Sequence, residues 1–223
     1  MDEKSLIIFD WDGTLAKTLH LWLTGYREGL QKQQHTFPDT IIARDFFYEH
    51  DRAIIKYPNI DFEELVSYAR SYIHNHVNQL ELYEGAKEVL ESLNEHNLAL
   101  VSSSPRHLLE AGLEANGLFK YFEFVIAGDD VTKHKPNPEA FNQTIGHFSA
   151  SRDKTLIIGD AKTDILAGKA AQLKTCLFAP KSNKIFYDFA DTRRSKPDYE
   201  ISSLQHLTTI NLLKKPFSGI FAI

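Results

Sequence analysis

Short apolar runs recur along the chain, and each one ends in small or polar residues. Leu6-Ile7-Ile8-Phe9 leads into Asp10-Trp11-Asp12-Gly13-Thr14, and Leu98-Ala99-Leu100-Val101 leads into Ser102-Ser103-Ser104-Pro105. Residues 122–127, 155–158 and 175–178 repeat the pattern, ending at Gly128, Gly159-Asp160 and Ala179-Pro180. Runs this short read as buried strands rather than helices, and the Gly and Pro residues behind them mark turns. Helical patterning fills most of the intervals, at 85–96, 108–116, around 139–145 and at 163–171. Strands alternating with helices require right-handed crossovers. The expectation is an α/β fold with a mainly parallel sheet covered on both faces.

Between about residues 15 and 83 the rhythm breaks. That stretch has no clear strand run but reads as helical at 19–33, 41–54 and 62–80. It is predicted to be an inserted α-helical subdomain at 16–83 on a core of 1–15 and 84–223, with hinges near Ala16 and Leu82-Tyr83-Glu84-Gly85. Residues 181–196 read as a long polar surface loop, and the apolar tail at 214–223 must dock or fray. A chain of 223 residues can bury a core of this kind.

Composition narrows the function classes. A net charge of −5 leaves no electrostatic footprint for nucleic acid or an acidic membrane, so an anionic ligand needs local positive charge. The lone Cys176 rules out an internal disulfide and any Cys-rich zinc site, and the ten histidines include no HExxH pattern. No apolar run reaches membrane-spanning length, and Met1-Asp2-Glu3-Lys4 lacks the build of a signal peptide. The expectation is a cytoplasmic protein, monomeric, with neither nucleic-acid nor membrane partners.

In an open parallel sheet, ligands bind beyond the carboxyl ends of the strands. The polar residues closing three runs are Asp10 with Asp12, Ser102, and Asp160, which the architecture brings to one edge. Strand alternation aims Asp10 and Asp12 the same way and Trp11 the other. Two carboxylates so close raise one pKa unless a cation compensates. Lys135, held extended by Pro136, can reach across such a site. Asp164 lies one helical turn beyond Asp160. Taken singly, the aspartates could be turn or capping residues, Ser102 a loop hydroxyl, Lys135 a solvated lysine and Thr14 a turn residue.

Taken together and in order, these residues resemble the haloacid dehalogenase superfamily, in its phosphatase branch with a helical cap between the first two core strands. That branch includes the phosphoglycolate phosphatase and β-phosphoglucomutase types. Asp10-Trp11-Asp12-Gly13-Thr14 matches the family's first motif, Ser102 the second, Lys135-Pro136 the third, and Gly159-Asp160 with Asp164 the fourth. His134 stands where the family usually has Gly, and Lys17 where relatives are often acidic. The presence of Asp12 argues against dehalogenation. The resemblance implies a Rossmann-like core and a Mg²⁺-dependent phosphomonoester hydrolase acting on a small phosphate ester. In that chemistry Asp10 attacks phosphorus to form an aspartyl-phosphate, and Asp12 serves as acid and then base. Ser102, Ser103 and Lys135 hold the phosphoryl group. Asp10, Asp12 through its backbone carbonyl, and Asp160 bind the metal, with Asp164 in its outer shell. A sugar phosphomutase or a small-molecule pyrophosphatase would share this core, and a non-catalytic phosphate-binding module is the reading from another class. Lys17, Trp22, Tyr26 and Arg27 are the nearest cap candidates for substrate contact, with Arg106 beside the Ser102 loop.

Overall fold

Strand alternation sorts the central apolar runs onto two faces. Ile7, Phe9, Leu98, Leu100, Leu156, Ile158, Cys176 and Phe178 pack on one side of a sheet; Leu6, Ile8, Ala99, Val101, Ile157 and Leu177 pack on the other. In the computed structural model, which describes residues 4–47, 50–210 and 213, all these side chains are buried. The sheet has six parallel strands: β1 (Leu6–Phe9), β2 (Asn97–Val101), β3 (Phe124–Ile126), β4 (Thr155–Gly159), β5 (Lys174–Phe178) and β6 (Tyr199–Ile201). Their order is β3-β2-β1-β4-β5-β6. The chain therefore reverses direction at β1, and the crevice at the carboxyl ends of β1 and β4 is the switch point.

Helices α5 (Ala86–Ser92) and α6 (Arg106–Asn116) cover the first face, and α7 (Glu139–Phe148) and α8 (Lys162–Ala170) the second. Four helices lie between β1 and α5 among the described residues: α1 (Leu19–Lys32), α2 (Asp39–Phe46), α3 (His50–Lys56) and α4 (Phe62–Asn75). They form the inserted cap, with a core of its own built from Leu23, Leu30, Ile42, Phe46 and Leu65. The two chain crossings into the cap run side by side. Ala16 bridges Leu82 in antiparallel fashion, Lys17 N–H donates to the Glu81 carbonyl at 2.8 Å, and Tyr83 N–H donates to that of Leu15 at 2.9 Å.

Two expectations need correction, and one strand was not anticipated. The helix predicted over 41–54 is two helices, α2 and α3. Strand β6 had no apolar run to announce it, since it is only Tyr-Glu-Ile at a sheet edge. The segment 181–196 is not a plain surface loop. It holds a short helical turn, Lys181–Ile185, and a ninth helix, α9 (Phe189–Arg194). Its Phe186 packs into the cap core, while Tyr187 packs against both cap and sheet. The apolar tail at 214–223 lies outside the described residues. No helix among the described residues is long and apolar enough to cross a membrane.

Candidate active site at the carboxyl edge of the sheet

Beyond Phe9 the backbone leaves the sheet, and Gly13 turns it back at φ +77°. A Cβ on Gly13 would sit 1.9 Å from Asp160 Oδ2, so only glycine lets the loop lie against that carboxylate. Trp11 points away from the two aspartates, as alternation requires, and is buried among the residues of α6.

Asp10, Asp160 and Asp164 meet at the switch point, each contributing a carboxylate oxygen within 4.8 Å of the others. All three are buried, Asp160 completely. Lys135 reaches them from the loop before α7, its Nζ 2.6 Å from Asp10 Oδ1, 2.6 Å from Asp164 Oδ1 and 3.3 Å from the Val101 carbonyl. The hydroxyl of Thr14, fully buried, donates towards Asp160 at 3.3 Å and Asp10 at 3.5 Å. Thr14 is therefore both a turn residue and a contact between two of the carboxylates. Asp164 is not a surface residue: its Oδ2 accepts the Ala161 N–H at 3.1 Å, closing the first turn of α8. Ala161, not Asp160, is the N-cap of that helix.

Three buried carboxylates face one ammonium, and the electrostatics follow from that imbalance. Burial pushes the Asp10 carboxyl up to about 8, with Asp164 and Asp12 adding to the rise and Lys135 opposing it. Burial, then the charges of Asp10 and Asp164, hold Asp160 well above the usual carboxylate range. Burial alone would lower the Lys135 ammonium, yet its two carboxylate partners carry it above its ordinary value. The lysine stays charged; burial is the main cause of the aspartates' rise, and the surplus of negative charge adds to it. An all-oxygen donor set with that surplus suits a hard divalent cation.

Asp12 is held apart from this cluster by three donors. Ser104 Oγ donates to its Oδ2 at 2.7 Å, Ser102 Oγ donates to the same oxygen at 3.2 Å, and the Trp22 indole N–H donates to Oδ1 at 3.1 Å. Trp22 comes from α1, so the cap itself grips a core carboxylate. Ser103 is exposed and lines the cavity. That cavity, about 650 Å³, is lined by Asp10, Asp12, Ser103, Lys135, Asp160 and Asp164, with Arg52 and Phe47 of the cap region and His134 and Tyr187 at its walls.

The sequence reading missed two contributors. Asn183, only 1% exposed, donates from Nδ2 to the Gly13 carbonyl and to Asp160 Oδ2, both at 2.9 Å, and its Oδ1 accepts the Tyr83 hydroxyl. It ties one acidic ligand candidate to both chain crossings. Ser104 is the other, read only as part of a serine-rich loop. Among the cap candidates, Trp22 and Tyr26 line a cavity beside Asp12. Lys17 instead pairs with Glu81 across the two crossings, Arg27 with Asp39 inside the cap, and Arg106 with Asp130 and Glu110 on the core.

Known proteins match this arrangement. The model of the haloacid dehalogenase-like hydrolase family matches residues 7–178. Pyrophosphatase PpaX of Halalkalibacterium halodurans is 31% identical over 220 residues, covering 93% of this chain and 97% of its own. The PpaX of Oceanobacillus iheyensis is 28% identical, covering 92% and 95%. Two crystal structures share the fold. One, described as a predicted phosphoglycolate phosphatase from Haemophilus somnus, gives a TM-score of 0.78 at 22% identity over 94% of this chain and 98% of its own. The other, a subfamily IA hydrolase from Geobacter sulfurreducens, gives 0.70 at 20% identity over 95% and 97%.

Proposed function

Because the chain belongs to the haloacid dehalogenase-like hydrolases, we propose that it is a Mg²⁺-dependent phosphomonoester hydrolase of small metabolites, working through an aspartyl-phosphate on Asp10. The observation that carries this reading is the buried cluster in which one ammonium touches Asp10 and Asp164 at 2.6 Å while Asp160 stands beside them. Asp10, Asp160 and the Asp12 backbone carbonyl would hold Mg²⁺, with Asp164 behind them. Bound there, the ion supplies neutralisation of the phosphoryl oxygens.

The chain's own groups supply the rest. An Asp10 carboxylate oxygen attacks phosphorus, and the new P–O bond forms as the bond to the leaving oxygen breaks. Lys135 orients that carboxylate and offsets its charge, while Ser102 and Ser103 donate to the phosphoryl oxygens. Asp12, steadied by Trp22 and Ser104, gives its proton to the leaving oxygen. A water then attacks the phosphorus of the aspartyl-phosphate, Asp12 takes its proton, and orthophosphate leaves with Asp10 restored. The cap, residues 16–83, closes over the site and excludes bulk water.

A second reading, hydrolysis of a small anhydride, is favoured by the identity with the two PpaX pyrophosphatases. It uses the same steps with phosphate as the leaving group. The sole cysteine, buried Cys176, supports a reducing cytoplasmic setting. The test is phosphate release from a metabolite panel in Mg²⁺ and in EDTA. Activity in Mg²⁺ that disappears in EDTA and in Asp10→Asn supports the reading; Asp10→Asn at the parent rate overturns it.

A further inference from the structure

The cap has a core of its own, yet one member of that core, Phe186, comes from the strap that follows β5. It is buried in the same cluster as Leu19, Leu23 and Phe46. Its ring meets His20 of α1 edge-on at 5.0 Å, and Phe47 at the end of α2 at 5.3 Å between centroids. The strap is not free to follow the cap alone. The Asn183 carbonyl accepts the N–H groups of Phe186 at 3.0 Å and Tyr187 at 3.2 Å, which closes one tight turn. Beyond that turn the chain is moored to the core: Phe189 is buried on the second face of the sheet, and Lys162 of α8 pairs with Asp191 of α9 at 2.6 Å.

The other side chains of the turn reach the acidic cluster. Asn183 Nδ2 donates to Asp160 Oδ2 and to the Gly13 carbonyl at 2.9 Å each, and its Oδ1 accepts the Tyr83 hydroxyl from the second crossing. Tyr187 lines the cavity that holds Asp160, and a hydrogen bond from its side chain to that carboxylate opposes the rise that burial imposes. Phe186 is not among the residues lining that cavity. A shift of the cap therefore pulls on Phe186, and the two backbone hydrogen bonds of the turn pass the strain to both donors on Asp160. A metal-binding carboxylate loses affinity when the groups that orient it move. Coupling between two sites is reciprocal, so what a seated cap adds to metal binding the metal returns to the cap.

We propose that Phe186 is a positioning residue of the metal site: anchored in the cap, it holds Asn183 and Tyr187 on Asp160, so that a seated cap and a bound Mg²⁺ favour each other. This rests on the reading that puts Mg²⁺ against Asp160 and adds the route by which the cap reaches it.

The test is a calorimetric Mg²⁺ titration of the parent, Phe186→Ala, Asn183→Ala and the double variant. Phe186→Ala should weaken Mg²⁺ binding by at least about fivefold, although it touches neither the acidic cluster nor its cavity. The double variant should weaken it by clearly less than the product of the two single losses, which a merely structural role would not produce. Parental affinity in Phe186→Ala, or losses that multiply, overturns the proposal and leaves the hydrolase reading standing. If Phe186→Ala does not fold, Phe186→Leu, which keeps an apolar side chain but loses the ring contacts, is held to the same two criteria. A parent that binds no Mg²⁺ counts against the metal reading alone, and cap seating in EDTA then decides. Trp11 is buried in the core, so acrylamide quenching reports Trp22, whose indole spans from the cap to Asp12. Greater quenching in both single variants, with no further rise in the double, supports the strap; parental quenching in Phe186→Ala sinks it.

Discussion

Replacing Asn183 by alanine removes one carboxamide and strands three buried partners, while the exposed Ser182, whose hydroxyl donates to the same Oδ1 at 3.2 Å, can turn to water. Its Nδ2 serves the Gly13 carbonyl and Asp160 Oδ2 at 2.9 Å each, and its Oδ1 takes the Tyr83 hydroxyl. Asn183 is 1% exposed and Tyr83 8%, so bulk water does not simply take its place. A buried polar group left without a partner costs about 1–3 kcal/mol. Asp160 keeps the Thr14 hydroxyl at 3.3 Å and borders the cavity, which limits its share. The expected loss is about 2–4 kcal/mol, or about 5–15 °C in Tm for a chain of this size. A partner that orients a metal-binding carboxylate also sets its affinity, so Mg²⁺ binding should weaken about 10- to 100-fold. Asn183→Asp keeps the volume but sets a fourth carboxylate beside Asp160. Its stability loss should deepen as pH rises, while that of Asn183→Ala stays nearly flat. Urea unfolding at acidic and alkaline pH, with calorimetric Mg²⁺ titration, measures both. Asn183→Ala within about 0.5 kcal/mol of the parent and with the parent's Mg²⁺ affinity would refute the reasoning.

Three further outcomes follow from the same cluster. Gly13→Ala must adopt φ +77° and push its Cβ into Asp160 Oδ2, so Mg²⁺ binding and phosphate release should both collapse, as calorimetry and a release assay would record. Lys135→Met leaves Asp10 and Asp164 buried without their cation, at a cost of about 3–5 kcal/mol in denaturant unfolding. For Asp10, the folded value is raised to about 8 from 3.8, so the folded chain keeps a proton that the unfolded chain has already lost. In EDTA that carboxyl therefore costs stability progressively as pH climbs from about 4 to about 8. Metal-free Asp10→Asn should be more stable than the parent near the upper end of that window, with the gap closing towards the lower end. A gap that widens on acidification would contradict the assignment.

Where sequence and structure agree, the reason is periodicity or a strand end. The alternation of Leu6 and Ile8 against Ile7 and Phe9 places β1 between two cores, and the parallel sheet then carries Asp10, Ser102 and Asp160 to one edge. Lys135 was legible because Pro136 and its ordered neighbours single it out. What stayed hidden depends on distance through space. Asn183 lies 170 residues from Gly13, in a stretch whose polar and aromatic composition reads as solvent-facing. Ser104 is indistinguishable from Ser103 until Asp12 is seen 2.7 Å from its hydroxyl. Trp22 and Tyr26, four apart on a helix, read as packing residues; only the cap's seating brings the Trp22 indole to Asp12. The three-residue strand β6 is too short to show a period.

The central claim is that Asp10 becomes phosphorylated, and trapping that state tests it most directly. In Asp12→Asn the leaving oxygen of a good ester such as p-nitrophenyl phosphate needs no proton donor, while the water that would clear the intermediate loses its base. Acid-quenched peptide mass spectrometry should then find one phosphoryl group on the peptide containing Asp10. It should need Mg²⁺, be removed by hydroxylamine, and vanish when Asp10→Asn is added. Release of p-nitrophenol without an adduct on that peptide, or an adduct that survives Asp10→Asn, would contradict the account.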